Sequence, residues 1–200
     1  MSMFSPTRGG AADKVGIGYE DLWTVRQMLD ILDGKYDSIK LEPYGEAGKG
    51  VEFYLTQDDV RIYHQVKRQA PKKRWTLKRL ESVLQTFGSK LQEEDTRCVF
   101  VSGDRAHELS GLADRAERFP FVNEFDAFKD SITNVEDWKE FERLANEIWE
   151  VDEEQAHQWL TRIKVEQYSE SALLDLTTSR SEVLIAGPPN DVRRRLKEIA

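Results

Sequence analysis

The stretch IYHQVKRQ, residues 62–69, sets an apolar row against a polar one. Side chains of a strand alternate, so Ile62, His64 and Val66 share one face while Tyr63, Gln65 and Lys67 share the other. The first row reads as core. The second reads either as a solvated edge or as a site, and the residues around it decide between the two.

Just upstream, VEFYLT (51–56) alternates in the same way, with Val51, Phe53 and Leu55 against Glu52, Tyr54 and Thr56. A two-residue turn at Asp58–Asp59 pairs Gln57 with Val60 and Tyr54 with Tyr63. Glu52 then stands opposite Gln65, with Lys67 on its diagonal, and the apolar residues of both strands fall together on the other face. One hairpin face thus collects a carboxylate, an amide and an ammonium.

Outward from this hairpin, Leu22, Val25, Met28, Leu29 and Leu32 recur at helical spacing, which predicts a helix over 17–32 ended by Asp33-Gly34. Glu20 lies off that stripe, in the expected first turn. SIKLEPY (38–44) reads as a first strand. Leu77, Leu80, Val83, Leu84, Phe87 and Leu91 mark a second amphipathic helix, and TRCVFVSG (96–103) a further strand. The order is α-β-β-β-α-β. From about Asp104 the chain reads as helical, with Thr133 or Asn134 capping a helix that carries Trp138 and Phe141. Asp152 caps another carrying Trp159, Leu160 and Ile163.

Composition limits the function classes. With 39% hydrophobic and 33% charged residues the 200-residue chain fits a water-soluble globular fold, and no apolar run approaches the ~20 residues of a membrane span. The single cysteine, Cys98, excludes an internal disulfide framework and fits a reducing cytoplasm. Residues 1–13 read as a flexible leader. The net charge of −8 argues against indiscriminate nucleic-acid binding, but residues 67–79 hold seven basic side chains and no acidic one. Residues 136–155 are the converse, nine acidic against two basic. Arg68, Lys72, Lys73 and Arg74, immediately after Lys67, are therefore candidate contacts to a DNA backbone. His64 reads as a packed core histidine, and His107 and His157 lack metal-ligand spacing. Tyr54 and Tyr63 read as a cross-strand pair, with nucleotide stacking as the alternative.

A carboxylate and an amide oxygen suit magnesium, which takes hard oxygen ligands, keeps several waters and accepts phosphate as a further ligand. A lysine beside them offsets charge that builds on a phosphodiester under attack by water. The motifs GIGYE (16–20), GVEF (50–53) and HQVKRQ (64–69), on elements in that order, resemble the PD-(D/E)xK nuclease superfamily, and within it the Mrr-like branch. That branch includes the nuclease domains of CD-NTase-associated endonucleases and of STAND-type antiviral ATPases. The resemblance covers about residues 14–103. It implies an α/β, restriction-endonuclease-like αβββαβ core with a mixed sheet, followed by a helical extension over 104–200 leading to a downstream sensor or ATPase domain.

The resemblance also implies a site of Glu20, Glu52, Gln65 and Lys67, in which Glu20, Glu52 and Gln65 hold Mg2+ or Mn2+, with Glu42 as a further candidate. Two departures stand out: glutamate replaces the commoner aspartate on the second strand, and glutamine replaces the commoner acid on the third. Both predict weaker metal affinity. The implied activity is metal-dependent cleavage of double-stranded DNA in antiphage defence, by dimers or tetramers of the full-length protein in the cytoplasm. A catalytically inactive DNA-binding or interaction module on the same fold is the competing reading.

Overall fold

The structure, a computed structural model, describes residues 9–41, 51–68 and 74–185. The described elements are α1 (Gly9–Leu32), β1 (Ser38–Leu41), β2 (Phe53–Gln57), β3 (Val60–Lys67), α2 (Leu77–Leu91) and β4 (Thr96–Ser102). They continue with α3 (His107–Arg118), α4 (Phe125–Ser131), α5 (Val135–Arg143), a π-helical turn (Leu144–Trp149), α6 (Glu153–Leu160), β5 (Ile163–Gln167) and α7 (Glu170–Ile185). The strands form one five-stranded mixed sheet in the order β1-β2-β3-β4-β5. The first three are antiparallel, and β3, β4 and β5 run parallel. These elements fall into two compact units, one spanning Tyr36–Tyr168 and the other built from α1 through Lys35 with α7 from Ser169.

The β2–β3 hairpin follows the register expected from its turn: Phe53 pairs with His64, Tyr54 with Tyr63, Leu55 with Ile62 and Gln57 with Val60. Asp58 and Asp59 hold φ of 50° and 68°, the left-handed pair that a two-residue type I′ turn requires. Short polar side chains tolerate this conformation better than most. Asp37 fixes the turn from outside, its Oδ2 accepting from the Asp58 amide at 2.9 Å.

Registers across the sheet define rows on one face. Lys40, Tyr54, Tyr63, Cys98 and Ile163 make one row, and Gln65, Phe100 and Val165 the next. Lys67, Ser102 and Gln167 make the last. Helix α2 and the helices after β4 cover the β4–β5 side of this face. Tyr63, Cys98, Phe100 and Ile163 join Leu77, Leu80, Leu84, Phe87 and Leu91 in one core cluster. Towards β1 the same face opens, with Tyr54 half-buried and Lys40 and Ser38 exposed. Helix α2 is anchored at both ends: Glu108 Oε2 accepts from the Leu77 amide at 2.8 Å, and Arg162 donates to the Leu91 and Glu93 carbonyls at 2.6 and 2.8 Å.

Three expectations need correction. The stretch after Asp104 is not helical throughout, since Ile163–Gln167 forms β5 beside β4. Ile163, expected on the helix of Trp159 and Leu160, opens that strand. Only five residues alternate there, too few to stand out against the helical spacing before them. Residues 9–13 of the expected leader belong to α1, where Ala11 and Ala12 favour the helix; Glu20 therefore sits in the body of α1 and not in its first turn. The apolar stripe of α1 is also rotated. Tyr19, Trp23, Gln27 and Asp30 are buried while Val25 is exposed. Asp30 is buried because Arg180 of α7 reaches its Oδ1 at 2.7 Å, and also Asp33 Oδ2 at 2.7 Å, an ionic clamp that the apolar pattern of α1 alone does not contain. The caps expected at Asn134 and Asp152 are present, accepting from the Glu136 and Gln155 amides at 3.0 and 2.8 Å.

Trp149 and Trp159 lie in the core and meet edge-on at 5.5 Å. Trp149 Nε1 donates to the Leu84 carbonyl at 2.7 Å. A Cβ at Gly88 would lie 2.7 Å from Trp149 Cδ1 and 3.2 Å from Trp159 Cζ3. Gly88→Ala gains helix propensity of about 1 kcal/mol but forces a hydrogen-bonded ring to move, at about 1–3 kcal/mol. We expect a net destabilisation in urea melts. Stability equal to or above wild type would show that Trp149 yields without cost.

Candidate functional site

Glu52, Gln65 and Lys67 come together on the face predicted for them. Glu52 enters from the residue before β2, its amide donating at 3.0 Å to the carbonyl of His64, which Phe53 already faces, so the chain departs from the regular ladder just ahead of β2. Gln65 Nε2 donates to Glu52 Oε1 at 2.5 Å, and Lys67 Nζ donates to the same oxygen at 3.0 Å. Gln65 is 3% exposed, whereas the side chains of Lys67 and Glu52 keep 38% and 29% of their surface. A half-exposed ion pair contributes about 0.2–1 kcal/mol, so this one does little for folding. Its worth lies in placement.

The triad stands where the covered half of the face gives way to the open half, at the carboxyl end of β3. Lys67, Ser102 and Gln167 terminate the three parallel strands side by side, and the crevice outside such carboxyl ends is where open α/β sheets bind ligands. Trp75 closes one side. Its Nε1 donates to Ser102 Oγ at 2.6 Å, its amide to the Arg105 carbonyl at 3.0 Å, and its ring meets Phe100 edge-on at 5.6 Å. Sequence reasoning missed Ser102 and Trp75. The signal available was a tryptophan directly after KKR, but its partner depends on the β3–β4 register, which the hairpin does not fix.

The other candidates divide. Arg68 and Arg74 are exposed, flanking the segment that leaves β3 and enters α2. Lys72, Lys73 and Glu42 lie outside the described residues. Glu20 belongs to α1 in the other compact unit. Among the described residues no group of three His, Cys, Asp or Glu side chains is set to hold a metal ion. The triad itself offers two oxygen donors of the right kind, the Glu52 carboxylate and the Gln65 amide. The amide nitrogen faces Glu52; turning it over would aim the Gln65 oxygen at the same point. The residues fit a cation that brings further ligands of its own.

Cys98 is fully buried, and burial pushes its thiol well above the ordinary range, which removes it as a nucleophile. His64 is buried on the opposite face, stacked on Phe53 with ring centroids 4.7 Å apart. Burial, and secondarily the Lys164 ammonium, lower its pKa to about 3. This is a packed histidine, not a ligand.

No protein-family model and no curated protein matches the sequence. Among solved structures, the chain is similar to part of the Acinetobacter baumannii Cap4 SAVED/CARF-domain containing receptor, determined with the cyclic trinucleotide 2'3'3'-cAAA. The TM-score is 0.56 at 13% identity, over 98% of this chain and 40% of that one. The likeness is one of fold, and the chain spans two fifths of that receptor's length. Among the described residues no helix is long and apolar enough to cross a membrane.

A pH prediction follows from His64. In the unfolded chain it titrates near 6.5, in the fold near 3. Between these values only the unfolded state holds the proton, so stability falls as pH drops through that window, at most by about 1.4 kcal/mol per pH unit for this one group. Urea midpoints measured from pH 7 to pH 5 should fall less steeply for His64→Phe than for wild type. Identical slopes would show that His64 keeps its ordinary pKa in the fold.

Proposed function

We propose that the chain is the effector part of an antiphage defence protein and hydrolyses phosphodiester bonds of double-stranded DNA with a divalent cation. The observation that carries the reading is the convergence of Glu52, Gln65 and Lys67 at the carboxyl end of β3, on the elements to which the PD-(D/E)xK resemblance assigns them. On this reading the β1–β4 sheet with α2 is the restriction-endonuclease-like part of the fold. The fold likeness to an antiphage receptor supports the defence setting. The ligand of that receptor is its own.

Glu52 and Gln65 would hold Mg2+ or Mn2+. A bound cation supplies Lewis acidity toward a phosphoryl oxygen and water of lowered pKa. The chain does the rest. Lys67 turns from Glu52 to the scissile phosphate and offsets the charge that grows on its oxygens as water attacks. Gln65, held in a buried backbone row between Tyr63 and Lys67, fixes the distance of Glu52 from that point. Arg68, Lys72, Lys73 and Arg74 neutralise neighbouring phosphates. Two such sites are needed to cut both strands, which calls for symmetric pairing into dimers or tetramers of the full-length protein.

A second reading has one observation in its favour. The triad contributes a single carboxylate, and Lys67 already neutralises it. A nuclease that had lost its cation would look like this and would survive as a DNA-binding or interaction module.

Cleavage of supercoiled plasmid with and without magnesium separates the two. Under the nuclease reading, forced dimerisation yields magnesium-dependent cleavage, and Lys67→Ala or Glu52→Gln each lowers its rate by about 100-fold or more. Magnesium-independent binding with no cleavage in any assembly state establishes the inactive module. The basic segment has its own test. Neutralising Arg68 and Arg74 should weaken binding equally across DNA sequences and flatten its salt dependence, whereas loss confined to one sequence would mark base readout.

A further inference from the structure

The open half of the sheet face next to the triad carries side chains that the site has not used. Lys40 of β1 pairs with Tyr54, and Tyr54 with Tyr63, so the three stand in one row on the same face as Gln65 and Lys67. Lys40 is exposed and Tyr54 half-buried. The rings of Tyr54 and Tyr63 are 5.4 Å apart and tilted by 54°, and Tyr54 is the more exposed of the two. Tyr63 is 2% exposed and serves the core. Lys90 of α2 stands over the Tyr63 ring, its Nζ 5.5 Å from the centroid. Arg61, also on this face, is held by Glu93 at 3.4 Å.

The row thus presents an aromatic plate between two ammonium groups, one from the edge strand and one from the helix. Glu52 lies two residues ahead of Tyr54, immediately before β2. Nothing in the fold of the sheet requires a lysine at each end of the Tyr54–Tyr63 pair. For a nucleic acid the combination is functional. Cations on either side of a groove track a phosphate backbone, and an aromatic face accepts any base or sugar that passes over it.

Resting on the nuclease reading above, we propose that Lys40, Tyr54 and Lys90 form the track for the substrate strand on the β1–β2 side of the scissile phosphate. It lies across the triad from Arg68 and Arg74. The strand would then cross the carboxyl end of β3 with cationic support on both sides, and Glu52 would face the phosphate between them. The chemistry read here is sequence-independent: backbone charge and stacking, with no base edge addressed.

The test measures binding apart from cleavage. Fluorescence anisotropy of a short duplex and of a single strand, in chelator, gives affinity as a function of salt. Lys40→Gln and Lys90→Gln should each reduce the slope of log affinity against log salt by about 1, and do so for unrelated sequences. Tyr54→Leu, which keeps an apolar side chain over the core, should weaken single-strand binding by about tenfold. Thermal melts of each variant confirm that the fold is intact, and Tyr54→Phe should restore binding. If the slopes and affinities of all three variants match wild type while Lys67→Ala still abolishes cleavage, the track is wrong and the nuclease reading stands. If the wild-type chain neither binds nor cuts DNA in any assembly state, both fall together.

Discussion

The pairing of β2 with β3 is the constraint on which the site depends. A shift of one residue in that ladder would move Glu52 to the opposite face and turn Phe53 and Leu55 outward. The register is held from three directions. The Asp58–Asp59 turn closes the hairpin with no spare residue. The stacked Phe53–His64 pair makes one face costly to expose, and the Tyr54–Tyr63 pair does the same for the other. Asp37 then ties the turn to the residue ahead of β1. An acidic turn is a poor choice for stability by itself, because two like charges sit in a conformation that glycine or asparagine adopts more easily. It is tolerated because the flanking pairs leave only one way to join the strands.

From that register the rest of the site follows by adjacency. β4 adds to β3 in parallel, which aligns Ser102 with Lys67 and gives Trp75 a partner. Trp75 directly follows Arg74, so the hydrogen bond to Ser102 limits where Arg74 can lie. Parallel pairing also brings the carboxyl ends of three strands together, and β5 completes that edge. The core cluster on the β4–β5 side and the open row on the β1–β2 side leave the triad at their boundary. One flank of it is dry and fixed, the other wet and accessible.

How much of this the sequence discloses depends on whether the determining contacts are local. The hairpin register from Phe53–His64 to the turn was legible because turn length, alternation and two aromatic pairs all act locally. The caps at Asn134 and Asp152 were legible for the same reason. β5 was not, because IKVEQ becomes a strand only by lying beside β4, and its first inward residue, Ile163, also continues the helical spacing of Trp159 and Leu160. The face of α1 was misread because its buried line includes Gln27 and Asp30. Asp30 is held inside by Arg180, far along the chain, at 2.7 Å, with Lys35 at 3.6 Å on its other oxygen. Ser102 escaped notice because a serine at the end of an apolar strand has no signature until a tryptophan is placed over it.

The glutamine at position 65 sets the charge balance of the triad. It stands in a nearly closed row, where a second carboxylate would face Glu52 across the hairpin with only Lys67 to compensate both. Like charges at that distance raise each other's pKa and oppose ionisation unless a cation is present. Glutamine removes that conflict. It leaves a neutral amide that donates to Glu52 in one orientation and offers its oxygen in the other. The triad can therefore rest as a closed, charge-balanced set, with Lys67 and Gln65 both satisfied on one carboxylate oxygen. On the proposed reading, engaging a cation costs Lys67 its partner, and a phosphate is the group that repairs the loss by accepting from the ammonium and ligating the ion. Cation and substrate would then bind each more tightly in the presence of the other.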